Sequence, residues 1–444
     1  MKPEDIFEIV SISLKERADA WEIYFSRGRG LKIETKEGKI ENFQPQESEG
    51  LSIRVITGQR LGFAYTSQIN PEIVRKTAAK ALENAQVTER DEAHRLPSGE
   101  SLPQAPEIRD QTIDSLSIEE KIEIALSIHQ AATKTDPRIK KVQQAKYQDG
   151  LQEVAIFNSL GVSGKAISTN FSLSCVAVAE EKDTSEMGWE YQASRFLSDL
   201  NPSRVGQVAA QRALERLGAI KPESSYLPTI FRPYITVDFL ELLSFSFCGD
   251  NIVKGKSQLA GKKGETLFAK QVNIVDDGLL PKGLATRAFD DEGVGQQTTL
   301  LVVEGRVEGF LFDTYWAQRA GERSTGNAAR GGFQSPPLVS TTNLCLQPGN
   351  ISPNELIKTL TKGVIITEVL GMHTADPVSG DFSVGAAGLL VKDGEVVSSL
   401  TGLAISGNIF DIFKRIEVVC SDLCFYGSVG APSILIGGLD ISGR

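Results

Sequence analysis

The stretch Asn70-Pro71-Glu72-Ile73-Val74 decides the fold of the first half of the chain, because its pattern returns as Asn201-Pro202-Ser203-Arg204-Val205. In both, asparagine can cap a helix, and proline fits the first helical turn, where its missing N–H is no loss. An alanine pair follows at the same distance, Ala78-Ala79 in one copy and Ala209-Ala210 in the other. We therefore predict two matching helices that each close one copy of a repeated unit. Asn-Pro caps and alanine pairs are also common in unrelated helices, so chance similarity is the alternative.

The order of predicted elements around the two stretches is the same. The first unit, about residues 1–86, starts with a helix over residues 3–17 and ends with a helix over residues 70–85. Strand-like segments between them are residues 20–25, 31–34, 50–56 and 59–65, with Thr57-Gly58 at the tip of a hairpin. The second unit, about residues 115–218, starts at the capping box of Ser117 and continues with strands over residues 139–193. Residues 85–113 between the units are polar and carry three prolines, which predicts an exposed connection.

The second half changes character and is dominated by glycine-containing turn signals. Apolar runs end at Asp276-Asp277-Gly278, Glu304-Gly305, Asp393-Gly394 and Gly437-Gly438, which is typical of hairpins. One further clear helix is predicted near residues 352–361. We predict an α+β fold with a duplicated helix-strands-helix N-terminal half and mostly antiparallel sheet (1–220). A β-rich, barrel-like C-terminal domain (221–444) follows.

Composition limits the kinds of partner. The 444 residues carry a net charge of −10, so clustered cations for phosphate neutralisation are scarce and direct nucleic-acid binding is disfavoured. No apolar run reaches the roughly 20 residues that span a bilayer, and the first residues lack a signal-peptide layout. We therefore expect a soluble cytoplasmic protein with no membrane contact. The five cysteines form no Cys-x-x-Cys pair, which predicts reduced thiols.

Few residues are suited to metal binding. The only histidines are His94, His129 and His373, and their spread along the chain makes a common site improbable. His373 lies in a loop that either edges a cleft or is simply exposed to solvent. Cys420 and Cys424 are four residues apart, which on a helix would place both thiols on one face, as a metal or redox pair or as packing. We predict no metal site and no cofactor.

Two glycine-rich segments are candidate ligand sites. Residues 249–257 superficially resemble a P-loop, but five residues separate the glycines where four are required, and the preceding segment looks helical. Residues 380–388 are more specific, because glycines admit a ligand to the backbone and nearby polar groups can hydrogen-bond a peptide. The alternative is a turn held by its own side chains. The predicted substrate-binding residues are Asp381, Ser383, Gly385 and Asn408.

Several short motifs in order resemble the TldD/PmbA family, whose members carry the historical label modulator of DNA gyrase and are grouped with peptidases. The motifs are Val275-Asp276-Asp277-Gly278, Asp290-Asp291-Glu292-Gly293, Ser324-Thr325-Gly326-Asn327, Gly380-Asp381-Phe382-Ser383 and Ile405-Ser406-Gly407-Asn408. The likeness spans nearly the whole chain and is strongest from about residue 234 onward. It implies a mixed α/β first half, a β-rich second half and a peptide substrate.

The family's metal motif is broken in this chain. In TldD-type members, His-Glu-x-x-x-His begins the C-terminal domain and a later cysteine completes the site. Counting back from Gly249-Asp250 places the two histidines at Leu240 and Phe245 and the glutamate at Glu241. Leucine and phenylalanine have no lone pair for a metal. Cys424 lies in the region of the family's cysteine, but its local sequence differs. The departures resemble the PmbA/TldE branch, which lacks the motif.

The resemblance implies a PmbA/TldE-like subunit that shapes a cleft and binds unfolded peptide by β-strand addition. A TldD-type zinc peptidase subunit would be its partner, with a homodimer as the other possible assembly. Two alternatives stay open. One is a self-sufficient peptidase built on other groups, which are Glu241, Asp381, Ser383 or a metal held by His373 and Cys424. The other is a non-catalytic regulatory protein that acts on gyrase or on toxin–antitoxin peptides.

Overall fold

The computed structural model describes residues 1–443 and confirms the predicted α+β fold. The elements of the first unit are α1 (Pro3–Leu14), β1 (Ala20–Lys36), β2 (Lys39–Thr57), β3 (Arg60–Thr66) and α2 (Pro71–Val87). Those of the second unit are α3 (Ile118–Thr135), β4 (Ile139–Asn158), β5 (Ser163–Glu181), β6 (Thr184–Ser194) and α4 (Pro202–Glu215). Each unit is thus a helix, three strands and a helix, as the duplicated sequence pattern predicts.

The six strands of the first half form one antiparallel sheet in the order β3-β2-β1-β4-β5-β6. The asparagines of the repeated stretch act as predicted: Asn70 accepts from the Ile73 N–H and Asn201 from the Arg204 N–H, both at 3.0 Å. Because β3 pairs with β2 only over residues 51–57, the outer edge of β2 at residues 39–50 has no strand partner within residues 1–443. Such an edge is open to pairing with another chain.

The first strand is longer than predicted. The separate segments 20–25 and 31–34 are parts of one strand, β1, which has β2 on one side and β4 on the other. Gly28 and Gly30 interrupt the apolar pattern between them, but the sheet needs the second glycine there. A Cβ atom on Gly30 would lie 2.4 Å from the Asp149 carbonyl oxygen of β4. Close approach of the two backbones therefore accounts for the break in the pattern.

A glycine on the last strand of each unit lets the closing helix pack against the sheet. A Cβ on Gly62 of β3 would lie 1.9 Å from the Ala81 carbonyl oxygen of α2. On Gly188 of β6 it would lie 2.3 Å from the Ala209 carbonyl oxygen of α4. The alanine-rich helices thus contact glycines at matching places in the two units.

Alanine at either strand glycine is expected to destabilise the protein. Gly62→Ala and Gly188→Ala must each push a helix away from the sheet, which we expect to cost about 1–3 kcal/mol. Urea unfolding followed by circular dichroism measures the effect. Gly331→Ala is the control, because a Cβ there meets only the Ser335 hydroxyl at 3.5 Å. Unchanged unfolding midpoints for both strand variants would contradict the packing described.

The second half contains fourteen strands, β7 to β20, and five α-helices, α5 to α9, within residues 1–443. Its elements are β7 (Ser225–Phe231), α5 (Pro233–Ser244), α6 (Gly249–Val253), β8 (Ile274–Asp277), β9 (Thr298–Val303), β10 (Arg306–Val307), α7 (Thr314–Ala320), β11 (Ala328–Ala329), β12 (Leu338–Val339), β13 (Leu344–Leu346), α8 (Pro353–Thr359), β14 (Lys362–Leu370), β15 (Asp381–Lys392), β16 (Glu395–Asn408), α9 (Ile409–Lys414), β17 (Ile416–Val419), β18 (Cys424–Tyr426), β19 (Val429–Ala431) and β20 (Ile434–Ser442).

Five of these strands close into the predicted barrel. They follow the order β16-β15-β14-β7-β20, and β20 pairs back with β16. A separate sheet, β10-β9-β8-β13-β19-β18, lies on the other side of α5, which contacts β18 and β19 as well as β7 and β14. Helix α5 therefore lies between the barrel and the second sheet, with apolar neighbours on several sides.

The turn signals of the second half were partly misinterpreted. Glu304-Gly305 and Asp393-Gly394 lie at tight hairpins, as predicted. Gly437-Gly438 instead lies inside β20, where the register with β7 shifts between Ile436 and Leu439. Helix α8 confirms the predicted helix, but α6, α7 and α9 were missed, because segments of five to seven residues carry little helical periodicity.

The connection between the two units is less exposed than predicted. Ala93 and Leu96 within it are buried, at 7% and 5% exposure. Asp110 is also buried, and it accepts hydrogen bonds from the Thr112 and Leu197 N–H groups. The polar residues and prolines therefore belong to a segment that lies along the surface. A few buried side chains anchor this segment.

Candidate functional site

Helix α5 carries the broken metal motif on a packed apolar face. Leu240 is fully buried within the large apolar cluster of the C-terminal half, together with Phe239 and Leu243. Phe245 begins the short 3-10 turn that follows the helix and is partly buried. Leu240, at the first position predicted for a family histidine, is therefore a packing residue, whereas Phe245 at the second is only partly buried.

The glutamate of the motif points away from that core. Glu241 is exposed, one helical turn after Asp238. Burial, and then the neighbouring Glu241 carboxylate, raise the pKa of Asp238 to about 6. Desolvation also raises the pKa of Glu241. The two acids are neighbours on the helix, and neither lines the cavity beside the N-terminus of α5.

The cysteine pair is not arranged as its spacing suggested. Cys420 follows β17 and is buried, whereas Cys424 begins β18 and is exposed. The intervening segment is not helical, so the condition for a common helical face is not met, and the buried Cys420 agrees with the packing alternative. Desolvation, and then the negative charge of Glu190, raise the pKa of Cys424, which keeps its thiol protonated at neutral pH. A thiol with a raised pKa is a weaker nucleophile at neutral pH.

The three histidines lie in different parts of the fold. His94 stacks on Tyr315, with ring centroids 5.2 Å apart. His129 lies on α3, and His373 lies in a 3-10 turn after β14. Within residues 1–443, no three His, Cys, Asp or Glu side chains are grouped so that they could hold a metal ion.

The glycine-rich segment at residue 249 begins a helix and serves packing. Gly249 is the first residue of α6, and a Cβ there would lie 2.1 Å from the ring of Phe312. Its N–H donates to the Leu311 carbonyl oxygen at 2.7 Å, so it is not free for a phosphate. The rejection of a P-loop on spacing therefore agrees with the local structure.

The predicted substrate-binding residues lie on the two adjoining barrel strands β15 and β16. Asp381 and Asn408 are cross-strand partners, and the Asn408 amide donates to the Asp381 carboxylate at 2.8 Å. Asn408 also caps α9 by accepting from the Phe410 N–H. Ser383 and Gly385 follow Asp381 at alternate positions of β15. The contact between Asp381 and Asn408 thus joins the start of β15 to the end of β16, and a role of the four residues in peptide binding stays a prediction.

A large cavity lies between the second unit and the C-terminal domain, beside the N-terminus of α5. We call it the interdomain cavity; its volume is about 670 Å³. Its walls come from β6, α4, the start of α5, residues 280–284 and β18. The lining residues used below are Glu190, Arg204, Arg212, Tyr234, Cys424 and Tyr426. The sequence analysis missed this site, because its residues lie up to 236 positions apart and form no local motif.

Arg212 organises the wall of the interdomain cavity. Its guanidinium pairs with Glu190 at 2.8 Å and donates to the Tyr426 hydroxyl at 3.1 Å. It also lies 4.1 Å from the centre of the Tyr234 ring, within the range of a cation–π contact. Burial, partly offset by Arg212, raises the pKa of Glu190. The arginine therefore joins α4 to both α5 and β18.

Two tyrosine rings of this wall, those of Tyr234 and Tyr426, pack against Trp189. Trp189, Tyr234 and Tyr426 meet edge to face, with centroid separations between 5.4 and 6.0 Å. Aromatic faces beside arginines offer apolar contact and hydrogen bonds at once, which suits binding of a peptide. Arg204 is exposed at the same cavity and adds a further positive charge.

The family motif Asp290-Asp291-Glu292-Gly293 joins the two halves of the chain through buried charges. Glu292 pairs with Arg54 of β2 at 2.9 Å, and Arg54 also pairs with Glu22 of β1. Arg330 pairs with the same Glu22 and donates its backbone N–H to Asp291 at 2.8 Å. We call Glu22, Arg54, Glu292, Asp291 and Arg330 the interdomain ion network. These motif residues therefore have a structural role, which their sequence alone did not indicate.

The family models for PmbA/TldA metallopeptidases match the chain in three consecutive parts. Domain 1 matches residues 21–85, the central domain residues 111–217 and the C-terminal domain residues 224–443. Together with the duplicated sheet, the closed barrel and the ordered motifs, this shows that the chain belongs to the PmbA/TldD family. The resemblance seen in the sequence is therefore confirmed.

Individual relatives are similar in sequence to this chain along almost its whole length. Metalloprotease PmbA of Escherichia coli O157:H7 is 28% identical over 442 residues, which are 98% of this chain and 96% of the relative. The Haemophilus influenzae homologue of metalloprotease TldD is 25% identical and covers 94% of this chain and 87% of the relative. Relatives thus bear metalloprotease names in both branches, and the family is one of peptidases.

Solved structures share the fold over the full chain. A Thermotoga maritima protein described as a candidate modulator of a DNA gyrase superposes with a TM-score of 0.92 at 30% identity, covering 99% of this chain and 100% of that one. TldE from Thermococcus kodakarensis gives a TM-score of 0.92 at 24% identity with the same coverage, which supports the fold. None of the helices in residues 1–443 has the length and apolar character to span a membrane.

Proposed function

We propose that this chain is the PmbA/TldE-like subunit of a TldD/PmbA-type peptidase system, and that it has no metal site of its own. The observation that carries the proposal is the complete burial of Leu240 among apolar side chains, at the position of the family's first histidine ligand. A metal ligand must donate a lone pair to the ion, and the leucine side chain has none. Phe245 has none either.

In this proposal the chain contributes to peptide binding. The interdomain cavity offers aromatic faces, the Arg212 guanidinium and the exposed Arg204. The open edge of β2 offers backbone groups that can pair with an extended chain, which is how many proteins bind unfolded peptides. Residues Asp381, Ser383, Gly385 and Asn408 stay a predicted contact on the barrel.

The proposed partner is a TldD-type zinc subunit, which would supply the water-activating metal. The acidic charge of −10 favours a protein or peptide partner over nucleic acid. We propose that the complex works in the cytoplasm. A homodimer is the assembly to expect when the partner is absent.

Mixing experiments test the subunit role. The chain and a TldD-type protein of the same organism are combined at micromolar concentration and examined by size-exclusion chromatography with light scattering. The same mixture is assayed for cleavage of unstructured peptides. We expect a heteromeric complex with cleavage greater than that of either protein alone. No association would contradict the proposal, and cleavage by this chain alone would favour a self-sufficient peptidase.

The cavity's part in peptide binding makes a separate prediction. Arg204→Gln removes an exposed positive charge at the interdomain cavity, so we expect peptide affinity to fall about tenfold with no change in unfolding midpoint. Arg75→Gln is the matched control, because Arg75 is exposed near the start of the corresponding helix α2. Fluorescence anisotropy with a labelled peptide measures the affinity. Equal affinities for both variants would exclude Arg204 from the site.

A further inference from the structure

A second, polar cavity lies between the sheet of the first half and the C-terminal domain. Its volume is about 250 Å³, which is room for about eight water molecules at liquid density. It is separated from the interdomain cavity by the segment around Leu284, which borders both. We call it the arginine cavity, because three arginines of residues 1–443 border it: Arg195, Arg287 and Arg330.

The charges around the arginine cavity do not balance. Among residues 1–443, Asp291 is the one carboxylate in its wall. Asp276 lies behind the wall, where its oxygens accept from the Asn327 amide and from the Thr342 N–H and hydroxyl. The Arg330 side chain is fully buried; its guanidinium pairs with Glu22 and donates to the Asp291 carbonyl oxygen, and its backbone N–H donates to the Asp291 carboxylate. Asp291 pairs with Arg287, so the positive charge that remains without a carboxylate belongs to Arg195.

Arg195 is a buried cation without an anion. It is 7% exposed, and within residues 1–443 its hydrogen bonds go to backbone carbonyl oxygens, at Thr169, Gly283, Leu284 and Thr286. Burial, and then the positive charge of Arg287, lower the pKa of Arg195 to about 10. A buried charge normally has an opposite charge beside it, because desolvation is otherwise costly.

Arg287 keeps free hydrogen-bond donors at the cavity. Only its Nη1 atom is used, in a 2.8 Å ion pair with Asp291. Its Nε and Nη2 groups make no hydrogen bond within residues 1–443. The hydroxyl groups of Ser168 and Thr341 line the same space. Guanidinium and hydroxyl donors around a polar cavity are the groups that bind carboxylates and phosphates.

We propose that the arginine cavity binds a small oxoanion, held by Arg287 and the hydroxyl groups, with Arg195 balancing its charge. The anion is either a free phosphate-like ion or the carboxylate end of a peptide. Both fit the volume and the donors. A bound anion here would bridge β4 and β5 to residues 284–342 of the C-terminal domain. This site is distinct from the interdomain cavity and does not depend on the chain's being a peptidase subunit.

Isothermal titration at low ionic strength tests the site in the full chain. Inorganic phosphate is titrated first, followed by a short peptide with a free C-terminal carboxylate and the same peptide as its amide. We expect binding of phosphate or of the carboxylate peptide, and no binding of the amide at this site. Competition between phosphate and the carboxylate peptide would identify the peptide end as a source of the anion. Phosphate binding alone would identify a free ion.

Variants connect the binding to the arginine cavity. Arg287→Gln is expected to weaken the affinity for phosphate by at least about tenfold, because charge-assisted hydrogen bonds are lost. Arg319→Gln is the control, since it removes the same charge from an exposed ion pair with Asp91. If Arg287→Gln does not fold, Ala166→Glu places a carboxylate in the cavity wall and should abolish binding. No binding of either anion to the unmodified chain, or unchanged binding in these cavity variants, would overturn the proposal.

Discussion

Replacing Arg54 by methionine is expected to lower the free energy of unfolding by about 3–5 kcal/mol at pH 7. Arg54 is 5% exposed and makes ion pairs with Glu22 and Glu292, which are each 1% exposed. Methionine fills much of the same volume but leaves a buried carboxylate without its counter-charge. Because Glu292 belongs to the second half of the chain, the variant should also loosen the contact between the halves. Urea unfolding monitored by tryptophan fluorescence gives the size of the effect.

Arg27→Met provides the matched control for Arg54. Arg27 lies on the neighbouring strand and pairs with Glu49, but its side chain is 49% exposed. Exposed ion pairs contribute about 0–1 kcal/mol, so this variant should unfold near the unmodified chain. Equal midpoints for the two variants would show that the interdomain ion network contributes no more than a surface pair.

The second prediction concerns the pH dependence of stability at Asp290. This residue is fully buried, and burial followed by the negative charge of Glu292 raises its pKa to about 8. An acid whose pKa is higher in the folded state binds more protons there, so its contribution is fully present below about pH 4. That contribution is lost as the pH rises through about 8. Between these limits, the unmodified chain should lose up to about 1.4 kcal/mol per pH unit from this group.

Asp290→Asn should flatten that dependence. The asparagine side chain stays neutral. It has one oxygen acceptor where Asp290 has two, so at least one of the N–H groups of Glu292, Val294 and Ala328 loses its hydrogen bond. The variant should therefore be less stable than the unmodified chain at pH 5, with a smaller difference at pH 8. Urea midpoints at four pH values between these limits measure the difference.

Asp136→Asn is the control for the pH series. A hydrogen bond from Arg138 lowers the pKa of Asp136 to about 2, so this residue is ionised throughout the range in both states. Its substitution should shift stability by a constant amount from pH 5 to pH 8. A constant difference for Asp290→Asn as well would contradict a raised pKa at Asp290.

Much of the fold was predictable because short sequence patterns determine where its helices and turns lie. The Asn-Pro caps, the capping box at Ser117 and the Asp-Gly turn at residue 393 each act within a few residues, and the structure has them where the sequence places them. Errors occurred where long-range contacts override a local signal. Gly437-Gly438 resembles a turn but continues β20, because β7 pairs with the strand on both sides of the pair.

The candidate site was less predictable than the fold. The broken motif at Leu240 was visible, because a metal ligand set is a local pattern. The interdomain cavity and the arginine cavity were not visible, because Arg212 and Tyr426, or Arg195 and Arg287, approach one another only in the folded chain. The role of Asp290-Asp291-Glu292 as a buried connection also depends on Arg54, which lies on a strand of the other half.

Metal content tests most directly whether the chain lacks its own metal site. The purified chain is incubated with zinc, dialysed without chelator and analysed for metal beside the TldD-type partner and their mixture. We predict substoichiometric zinc in this chain, stoichiometric zinc in the partner, and peptide cleavage in the mixture that follows the partner's zinc. Stoichiometric zinc retained by this chain alone, together with cleavage that a chelator abolishes, would contradict the account.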